Sequence, residues 1–458
     1  MSLSVQPLSP LDGRYRDSVS DLGAFLSEAG LNHARVEVEI EWLIHLASKG
    51  VFGTSITAQE TAALRDVVAN FGDADVARIA HFEATTRHDV KAVEYLVREH
   101  LERLGLGRLA ELTHFACTSE DINNLSYGIT LNKAVRTVWR PAVQQVIDKL
   151  AELSREYRDV PMLARTHGQP ATPTTFGKEL AVFVHRITRL VDSVDQVALT
   201  GKFSGATGTF SAHYAAAPEI DWVTESREFV THLGLEWNPL TTQIESHDTQ
   251  AQILSRIAHV NRVLHNLCTD VWTYISLGYL TQIPVAGATG SSTMPHKVNP
   301  IRFENAEANL ELSNALCESL ASTLVTSRMQ RDLTDSTTQR NFGVALGHGL
   351  LALSNIFRGL HEVSLNRAAL LADLDDNQEV LGEAIQTALR AERVAGTTSI
   401  DNPYELLKNL TRGQRLTAAD LGSFIDGLEM SDAGKARLRA LTPATYVGVA
   451  DSLVDYLG

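Results

Sequence analysis

Apolar residues spaced by alternating steps of three and four constrain this chain more than any other feature of its sequence. The longest series begins at Ile253 and includes Val260, Leu267 and Ile275. Such spacing places the side chains along one side of a helix several turns long. Three more series of this kind occupy 143–153, 180–194 and 312–324. Because long stripes pack best against each other, the sequence predicts an all-α fold built on a central bundle of long helices.

Composition and turn residues extend this interpretation. Only 6% of the 458 residues are aromatic, while the helix formers Ala and Leu are abundant. A chain of this length is typical of about three domains. Gly- and Pro-rich breaks separate the periodic segments and predict where the helices end. We expect an N-terminal helical domain at 1–110, a long-helix bundle with a loop at 287–300 over 111–364, and a C-terminal helical domain at 365–458.

Charge and cysteine content narrow the class of function. The net charge of −15 disfavours binding to nucleic acid or to an anionic membrane, so an anionic small substrate would need a local group of cations. Cys117, Cys268 and Cys317 are odd in number and far apart, which argues against a disulfide framework or a cysteine zinc site. The N-terminus lacks the pattern of a signal peptide, and the apolar segment 342–357 is too short and polar to span a bilayer. A cytoplasmic protein is expected.

Several common cofactor motifs are missing from the sequence. The Gly-rich segment 201–208 lacks the Gly-Lys-Ser/Thr end of a phosphate-binding loop, and no Gly-x-Gly-x-x-Gly is present. His361 and Glu362 are not followed by the second histidine of a zinc protease helix. We therefore expect no nucleotide cofactor and no catalytic metal.

The segment GSSTMPHKVNP at 290–300 is the most unusual loop in the chain. It combines hydroxyl groups, an imidazole, an ammonium and an amide, whereas most loops of similar composition are solvated turns. A loop of this kind suits closure over a small anion, with Lys297 supplying positive charge. A serine in it would act as a base only in a water-excluded site near cations and backbone N–H groups.

Three further segments carry candidate groups. RTHGQPATP at 165–173 places His167, a side chain suited to proton transfer near neutral pH, in a turn expected to open a long helix. TSEDINN at 118–124 predicts the start of a helix, where free N–H groups also suit a carboxylate. Cationic residues recur at 12–15, 87–91 and 331–340; singly they are typical of surface charge, and together they suit phosphate and carboxylate groups.

Taken together and in order, these motifs resemble the fumarase/aspartase superfamily. TTQIESHD at 241–248, HDVKAVEY at 88–95 and RDLTDS at 331–336 match as well, so the resemblance covers nearly the whole chain. Thr at 293 and His at 296 resemble the residues found at these positions in the branch that acts on adenylosuccinate. Fumarases typically have Ile and Gly at these two places, and argininosuccinate lyases have Leu and Gln.

The resemblance implies a carbon–nitrogen lyase of purine nucleotide biosynthesis that needs no cofactor. Its expected reaction is β-elimination of fumarate from adenylosuccinate, giving AMP, and from the succinylated aminoimidazole carboxamide ribotide (SAICAR), giving AICAR. It also implies a three-part helical subunit in a homotetramer whose active sites each draw on three subunits. The apolar stripe from Ile253 onward would supply part of the tetramer core.

The resemblance also implies residue roles. Ser291 is the expected general base, His167 the general acid oriented by Glu304, and Lys297 a further catalytic residue. The succinyl part would be held by Lys297, Thr118, Ser119, Thr166, Gln243 and Asn299. The phosphate and nucleotide end would be held by Arg14, Tyr15, Arg331, Ser336 and Arg340, with His88 and Asp89 near the purine or phosphate. Further substrate-binding candidates are Arg87, Ser292 and Asn305.

One position departs from the family pattern, because Arg87 stands where Lys or Asn is expected. Three alternatives remain open at this point. The first is another lyase of the superfamily, acting on argininosuccinate, aspartate or malate, which the phosphate-suited cations and His296 disfavour. The second is a non-catalytic structural member, which the presence of Ser291 and His167 disfavours. The third is a scaffolding helical bundle, which leaves the loop at 290–300 unexplained.

Overall fold

The computed structural model describes residues 7–284, 294, 297–411 and 416–458, and these are mostly helical. The helices of eight or more residues are Glu28–Ser48, Ala58–Ala69, Asp73–Thr86, Asp89–Arg103, Ser119–Ala134, Arg140–Glu156, Phe176–Asp195, Trp222–His232, Asp248–Ser276, Ile301–Leu324, Phe342–His361, Arg367–Asp375, Gly382–Val394, Pro403–Thr411, Ala418–Gly427 and Asp432–Arg439. The shorter helices are Arg16–Val19, Gly23–Leu26, Ser211–Ala216, Thr334–Gln339 and Ala450–Leu453. Short 3₁₀ segments lie at Ser20–Leu22, Val51–Gly53, Gly107–Leu112, Gln378–Leu381 and Val454–Leu457.

The strands are two or three residues long and form two-stranded sheets. Three pairs are antiparallel: Pro161–Met162 with Thr174–Thr175, Arg165–Thr166 with Gln169–Pro170, and Leu280–Gln282 with Val363–Leu365. Thr200–Gly201 pairs in parallel with Glu236–Trp237. The expected all-α fold class is confirmed, since these strands only join or brace helices.

All four periodic stripes lie on long helices, as predicted. The stripe from Ile253 lies on Asp248–Ser276, and its members from Ile253 to Val271 are buried within the chain itself. These buried members therefore leave no free apolar stripe for an assembly, and the expected tetramer core within 111–364 stays a prediction. In contrast, Leu312 on Ile301–Leu324 is 52% exposed.

The chain divides into two compact units. The first unit comprises the described residues of Met1–Gln144, Arg189–Arg262 and Ala306–Ser354. Trp42 is one of three fully buried tryptophans in this unit, and it packs against Phe203 and Phe229 with ring centroids 4.3 and 4.9 Å apart. The Trp42 indole N–H donates to the Phe115 carbonyl at 3.1 Å, so the buried ring keeps a polar partner.

The second unit comprises the described residues of Gln145–Thr188, Val263–Asn305 and Asn355–Gly458. Its C-terminal helices share an apolar core that includes Leu381, Ile385, Leu389, Leu421 and Ile425. The helix Ala418–Gly427 starts at a capping box, because the Thr417 and Asp420 side chains accept from each other's backbone N–H groups. The predicted three-domain division at 110 and 364 stays a prediction.

Within the described ranges, no helix has both the length and the apolar character that crossing a membrane requires.

Candidate active site

A buried arginine organises one group of candidate residues in the first unit. Arg35, on the helix Glu28–Ser48, is fully buried and donates to Asp89 Oδ2 at 2.7 Å. Its other nitrogens donate to the side-chain oxygens of Asn32 and Asn123, both at 2.9 Å. A buried guanidinium is tolerated only when its donors are paired in this way. Arg35 therefore fixes the position of Asp89.

Asp89 in turn holds Arg340. The Arg340 NH2 nitrogen lies 3.0 Å from Asp89 Oδ2, and its NH1 donates to Ser336 Oγ at 2.8 Å. Burial raises the pKa of Asp89, but the positive charge of Arg35, a backbone N–H and Arg340 outweigh it and leave this pKa below its ordinary value. The structure thus brings together three predicted substrate residues, Asp89, Ser336 and Arg340. The carboxylate of Asp89 is ionised in this group.

The start of the helix Ser119–Ala134 contributes a second group, and the predicted helix start at Thr118–Ser119 is confirmed. The Thr118 N–H donates to Asp121 Oδ2 at 2.8 Å, and the Asp121 Oδ1 atom lies 2.9 Å from Lys202 Nζ. Both side chains of this ion pair are fully buried. The turn is therefore held rigidly, and Ser119 Oγ lies 3.3 Å from His88 Nε2.

Arg331 and Gln243 form a third group. Arg331 NH1 donates to Gln243 Oε1 at 3.3 Å, and Gln243 Nε2 donates to the Ala206 carbonyl at 3.0 Å. Arg331 NH2 lies 3.0 Å from Glu120 Oε2. The family resemblance assigns Gln243 to the succinyl part and Arg331 to the nucleotide end, whereas the structure joins the two side chains directly.

Sequence reasoning missed a buried trio beside Arg331. Glu120, His247 and Asp335 each offer a ligand atom, and these atoms lie within 4.8 Å of one another. They are the group among the described residues that could hold a metal ion, although the guanidinium of Arg331 already supplies positive charge there. All three residues lie inside motifs that the sequence had flagged, at 118–124, 241–248 and 331–336, so the motifs were the available signal.

Arg14, Tyr15 and Arg87 lie on turns of the first unit. Arg14 is exposed and its guanidinium stands 5.8 Å from the centre of the Tyr15 ring, just before the helix Arg16–Val19. Arg87 ends the helix Asp73–Thr86 with φ 50°, in the left-handed region. Asn and Gly adopt that region more readily than Arg, which gives a physical reason for the Asn expected at this position. Among the described residues, Arg87 makes no hydrogen bond or ion pair with another candidate.

His167 lies in the second unit, at the exposed tip of a β-hairpin. Arg165 pairs with Pro170 and Thr166 with Gln169, so His167 and Gly168 form a two-residue turn with φ values of 54° and 75°. Positive φ at both positions is typical of tight hairpin turns. The sequence placed this turn at the start of the long helix, but that helix begins only at Phe176. The Ala171 N–H bonds back to the Ala164 carbonyl at 2.8 Å, so the segment closes a hairpin first.

The base of this hairpin is anchored through Arg165. Its guanidinium and the Tyr279 hydroxyl both donate to Asp373 Oδ2. Asn377 Nδ2 also donates to Asp373, at 3.3 Å to Oδ1. Burial and the hydrogen bond to Asp373 raise the pKa of Tyr279 to about 12. The hairpin that carries His167 is therefore tied to the helix Arg367–Asp375.

The remaining candidates of the second unit lie around the start of the helix Ile301–Leu324. Glu304 accepts from Trp272 Nε1 at 3.1 Å rather than bonding to His167, so the expected orientation of His167 by Glu304 stays a prediction. Asn305 Oδ1 accepts from Asn355 at 2.9 Å. Lys297 is exposed, and the Asn299 carbonyl accepts from the Ile301 N–H at 2.8 Å. Ser291, Ser292, Thr293 and His296 lie outside the described residues.

Comparison with known proteins defines the class of enzyme first. A family described as "Lyase" matches residues 13–312, and one described as "Adenylosuccinate lyase C-terminal" matches 327–447. The crystal structure of a fumarate lyase from Mesorhizobium sp. BNC1 has the same fold, with a TM-score of 0.75, 19% identity, and coverage of 96% of this chain and 97% of that one.

Full-length relatives give the particular family. The chain is 49% identical to adenylosuccinate lyase of Escherichia coli strain K12 over 99% of both chains. It is 48% identical to adenylosuccinate lyase of Haemophilus influenzae over 98% of both chains. The chain therefore belongs to the adenylosuccinate lyase family of the fumarase/aspartase superfamily.

Proposed function

We propose that this chain eliminates fumarate from adenylosuccinate and from SAICAR, with Ser291 as general base and His167 as general acid. The full-length likeness to adenylosuccinate lyases carries this proposal. A weakly acidic C–H beside a carboxylate must lose a proton, while the leaving nitrogen must gain one. A base and an acid on opposite faces of the substrate perform both transfers. Fixed donors then stabilise the charge that builds up on the carboxylate.

The groups held in the first unit support a binding site for an anionic nucleotide. Arg331 and Arg340 come from one segment, and each is fixed by a carboxylate, Glu120 or Asp89. Guanidinium groups held in this way present forked donors that match phosphate and carboxylate oxygens. In a chain with a net charge of −15, such a concentration of held cations is what an anionic substrate requires. The other proposed substrate contacts are Arg14, Tyr15, Arg87, His88, Thr118, Ser119, Thr166, Gln243, Ser292, Asn299, Asn305 and Ser336.

We further propose that the enzyme is a homotetramer with sites shared among three subunits. The proposed catalytic side chains His167, Lys297 and Glu304 are exposed in the chain, whereas a site of this chemistry excludes water. Apolar side chains near them in the second unit are exposed too, with Trp272 at 42% and Ile301 at 60%. A cytoplasmic location is proposed as well, supported by three cysteines that are free thiols.

The direct test is an ultraviolet assay of purified protein with adenylosuccinate, with AMP and fumarate identified as products. Argininosuccinate, aspartate and malate are assayed alongside. Turnover of adenylosuccinate alone is expected. Activity on another of these substrates would retain the chemistry and overturn the nucleotide site. Inactivity of a folded protein on all of them would favour a non-catalytic member.

Subunit mixing tests both the acid–base roles and the shared site. We expect Ser291→Ala to lose several orders of magnitude in kcat while still binding substrate, since only the proton abstraction is removed. Mixing inactive Ser291→Ala and His167→Ala proteins should restore part of the activity if the two residues meet from different subunits. No recovery after verified subunit exchange would show that one chain supplies both.

A further inference from the structure

The first unit contains a carboxylate that the proposed mechanism does not use. Glu120 is the second residue of the helix Ser119–Ala134 and is only 1% exposed. Its Oε2 atom lies 3.0 Å from Arg331 NH2, and its Oε1 atom has no hydrogen-bond partner in the described part of the chain. A buried carboxylate with half of its acceptors unpaired is costly, so its position calls for a functional reason.

Glu120 contacts one of the proposed binding residues, Arg331. Arg331 has five N–H donors, and the contacts with Glu120 and Gln243 occupy one on each terminal nitrogen. Gln243 is itself fixed by the carbonyl of Ala206 at 3.0 Å. The guanidinium is therefore held at both of its terminal nitrogens, and this fixes the direction of its remaining N–H donors.

We propose that Glu120 is a positioning residue, which orients the guanidinium of Arg331 toward the anionic substrate. The proposal rests on the proposed function, because Arg331 is a substrate contact only if that function is right. Glu120 would not touch the substrate. It would lower the cost of binding by fixing a long and otherwise mobile side chain before the substrate arrives.

The charges around Glu120 make this contact depend on pH. Burial raises the pKa of Glu120 to about 7, against the opposing effect of Arg331. Asp335 raises it further, while His247 and Lys202 lower it. Because the ionised form pairs with Arg331, the contact is strongest above pH 7 and weakens as the pH falls through that value. The KM for adenylosuccinate should rise as the pH falls through neutrality.

Two substitutions separate the geometric and the ionic contributions. Glu120→Ala removes the support and should raise KM by about 10- to 100-fold with kcat changed only a few-fold, as expected for a lost hydrogen bond to a charged group. Glu120→Gln keeps an acceptor of the same shape but cannot ionise. Its KM should therefore no longer change with pH near 7. KM and kcat are measured at several pH values from 6 to 8.5.

Glu94→Gln is the matched control. Glu94 is also a buried carboxylate of the first unit, paired with Lys91 at 2.7 Å and Arg98 at 3.1 Å, and it contacts none of the candidate residues that the structure describes. This variant should keep the KM of the wild-type protein and its pH dependence. Circular dichroism verifies that each variant is folded, and Glu120→Gln keeps the test informative if Glu120→Ala does not fold.

A folded Glu120→Ala protein with the wild-type KM would overturn the positioning role, as would a Glu120→Gln protein whose KM keeps the wild-type pH dependence. A loss confined to kcat would also overturn it, because orientation of a binding group acts on KM. Inactivity of the wild-type protein toward adenylosuccinate would overturn the proposed function instead, so the two failures are distinct.

Discussion

The two units hold their candidate residues in opposite ways. In the first unit, Asp89, Arg331 and Arg340 are fixed by ion pairs and by buried partners such as Arg35. In the second unit, His167 and Lys297 are exposed, and only the base of the hairpin is anchored. The difference teaches that one chain fixes the proposed binding groups by itself, while His167 and Lys297, which are proposed for catalysis, are exposed. This contrast fits the proposal that other subunits complete the site.

The largest expected effect tests the proton-transfer side. His167→Asn removes the proposed acid but keeps a side chain that tolerates φ near 54°, so the hairpin should persist. We expect kcat to fall by about a hundred- to ten-thousand-fold with little change in KM, as is usual for general acid catalysis. Steady-state kinetics on adenylosuccinate gives both constants. His361→Asn, at another exposed histidine of the second unit, is the control. A kcat within tenfold of wild type would remove His167 as the acid.

A smaller effect is expected on the binding side. Arg340→Ala leaves Asp89 and Ser336 without their shared partner and removes a proposed donor to the substrate. KM should rise by about 10- to 100-fold while kcat changes little, in keeping with a lost charged hydrogen bond. Arg65→Ala, which removes an exposed guanidinium from the largely buried Glu41, should leave both constants near wild type, because neither residue is a substrate candidate. If kcat fell instead and KM stayed constant, the division between binding and catalytic units would break down.

The anchor of the hairpin offers a sharper test. Asp373→Asn removes the charge to which both Arg165 and Tyr279 donate, so the turn that carries His167 should be less well fixed. Kcat should fall by about tenfold, since small displacements of a catalytic group are costly, whereas KM should hold. Asp426→Asn, at an exposed aspartate paired with Arg439, serves as the control. An Asp373→Asn protein with unchanged kcat would show that the anchor does not govern His167.

A final expected effect concerns stability rather than kinetics. The pKa of Glu120 is raised by folding from 4.5 to about 7, so the folded state favours its protonated form. Ionising this carboxyl therefore lowers the free energy of unfolding. This loss is absent below pH 4.5 and complete above pH 7. Thermal unfolding is measured at pH 5 and pH 8 for both proteins. The stability of Glu120→Gln relative to wild type should be greater at pH 8 than at pH 5, by about 1.4 kcal/mol for each unit of pKa difference. An equal difference in stability between the two proteins at both pH values would contradict the raised pKa of Glu120.

Patterns among neighbouring residues predicted the long helices and one helix start correctly. The apolar stripes predicted the long helices, and Thr118–Ser119 predicted a helix start, because periodicity and N-terminal acidic residues act within a few turns. The motif resemblance predicted the family. The turn at His167 was misplaced, since the glycine after it and the two following prolines fit a hairpin better than a helix start.

Contacts between distant segments could not be predicted in the same way. Arg35 and Asp89 are separated by 54 positions, and nothing near either residue indicates the other. Glu120, His247 and Asp335 come from three separate motifs, and their proximity depends on how the helices pack. Burial decides whether such charges are solvated or paired, and burial is a property of the fold as a whole.

The left-handed backbone at His167 has a consequence for mutational scanning of this enzyme. A β-branched or bulky residue at this position would strain the turn before its chemistry could matter. Loss of growth in such variants would then mix two signals, failed proton transfer and a distorted hairpin. Asn and Gly tolerate this backbone and carry no acid, so they report the first signal with the second largely removed, and fitness scores at position 167 need these two as their reference.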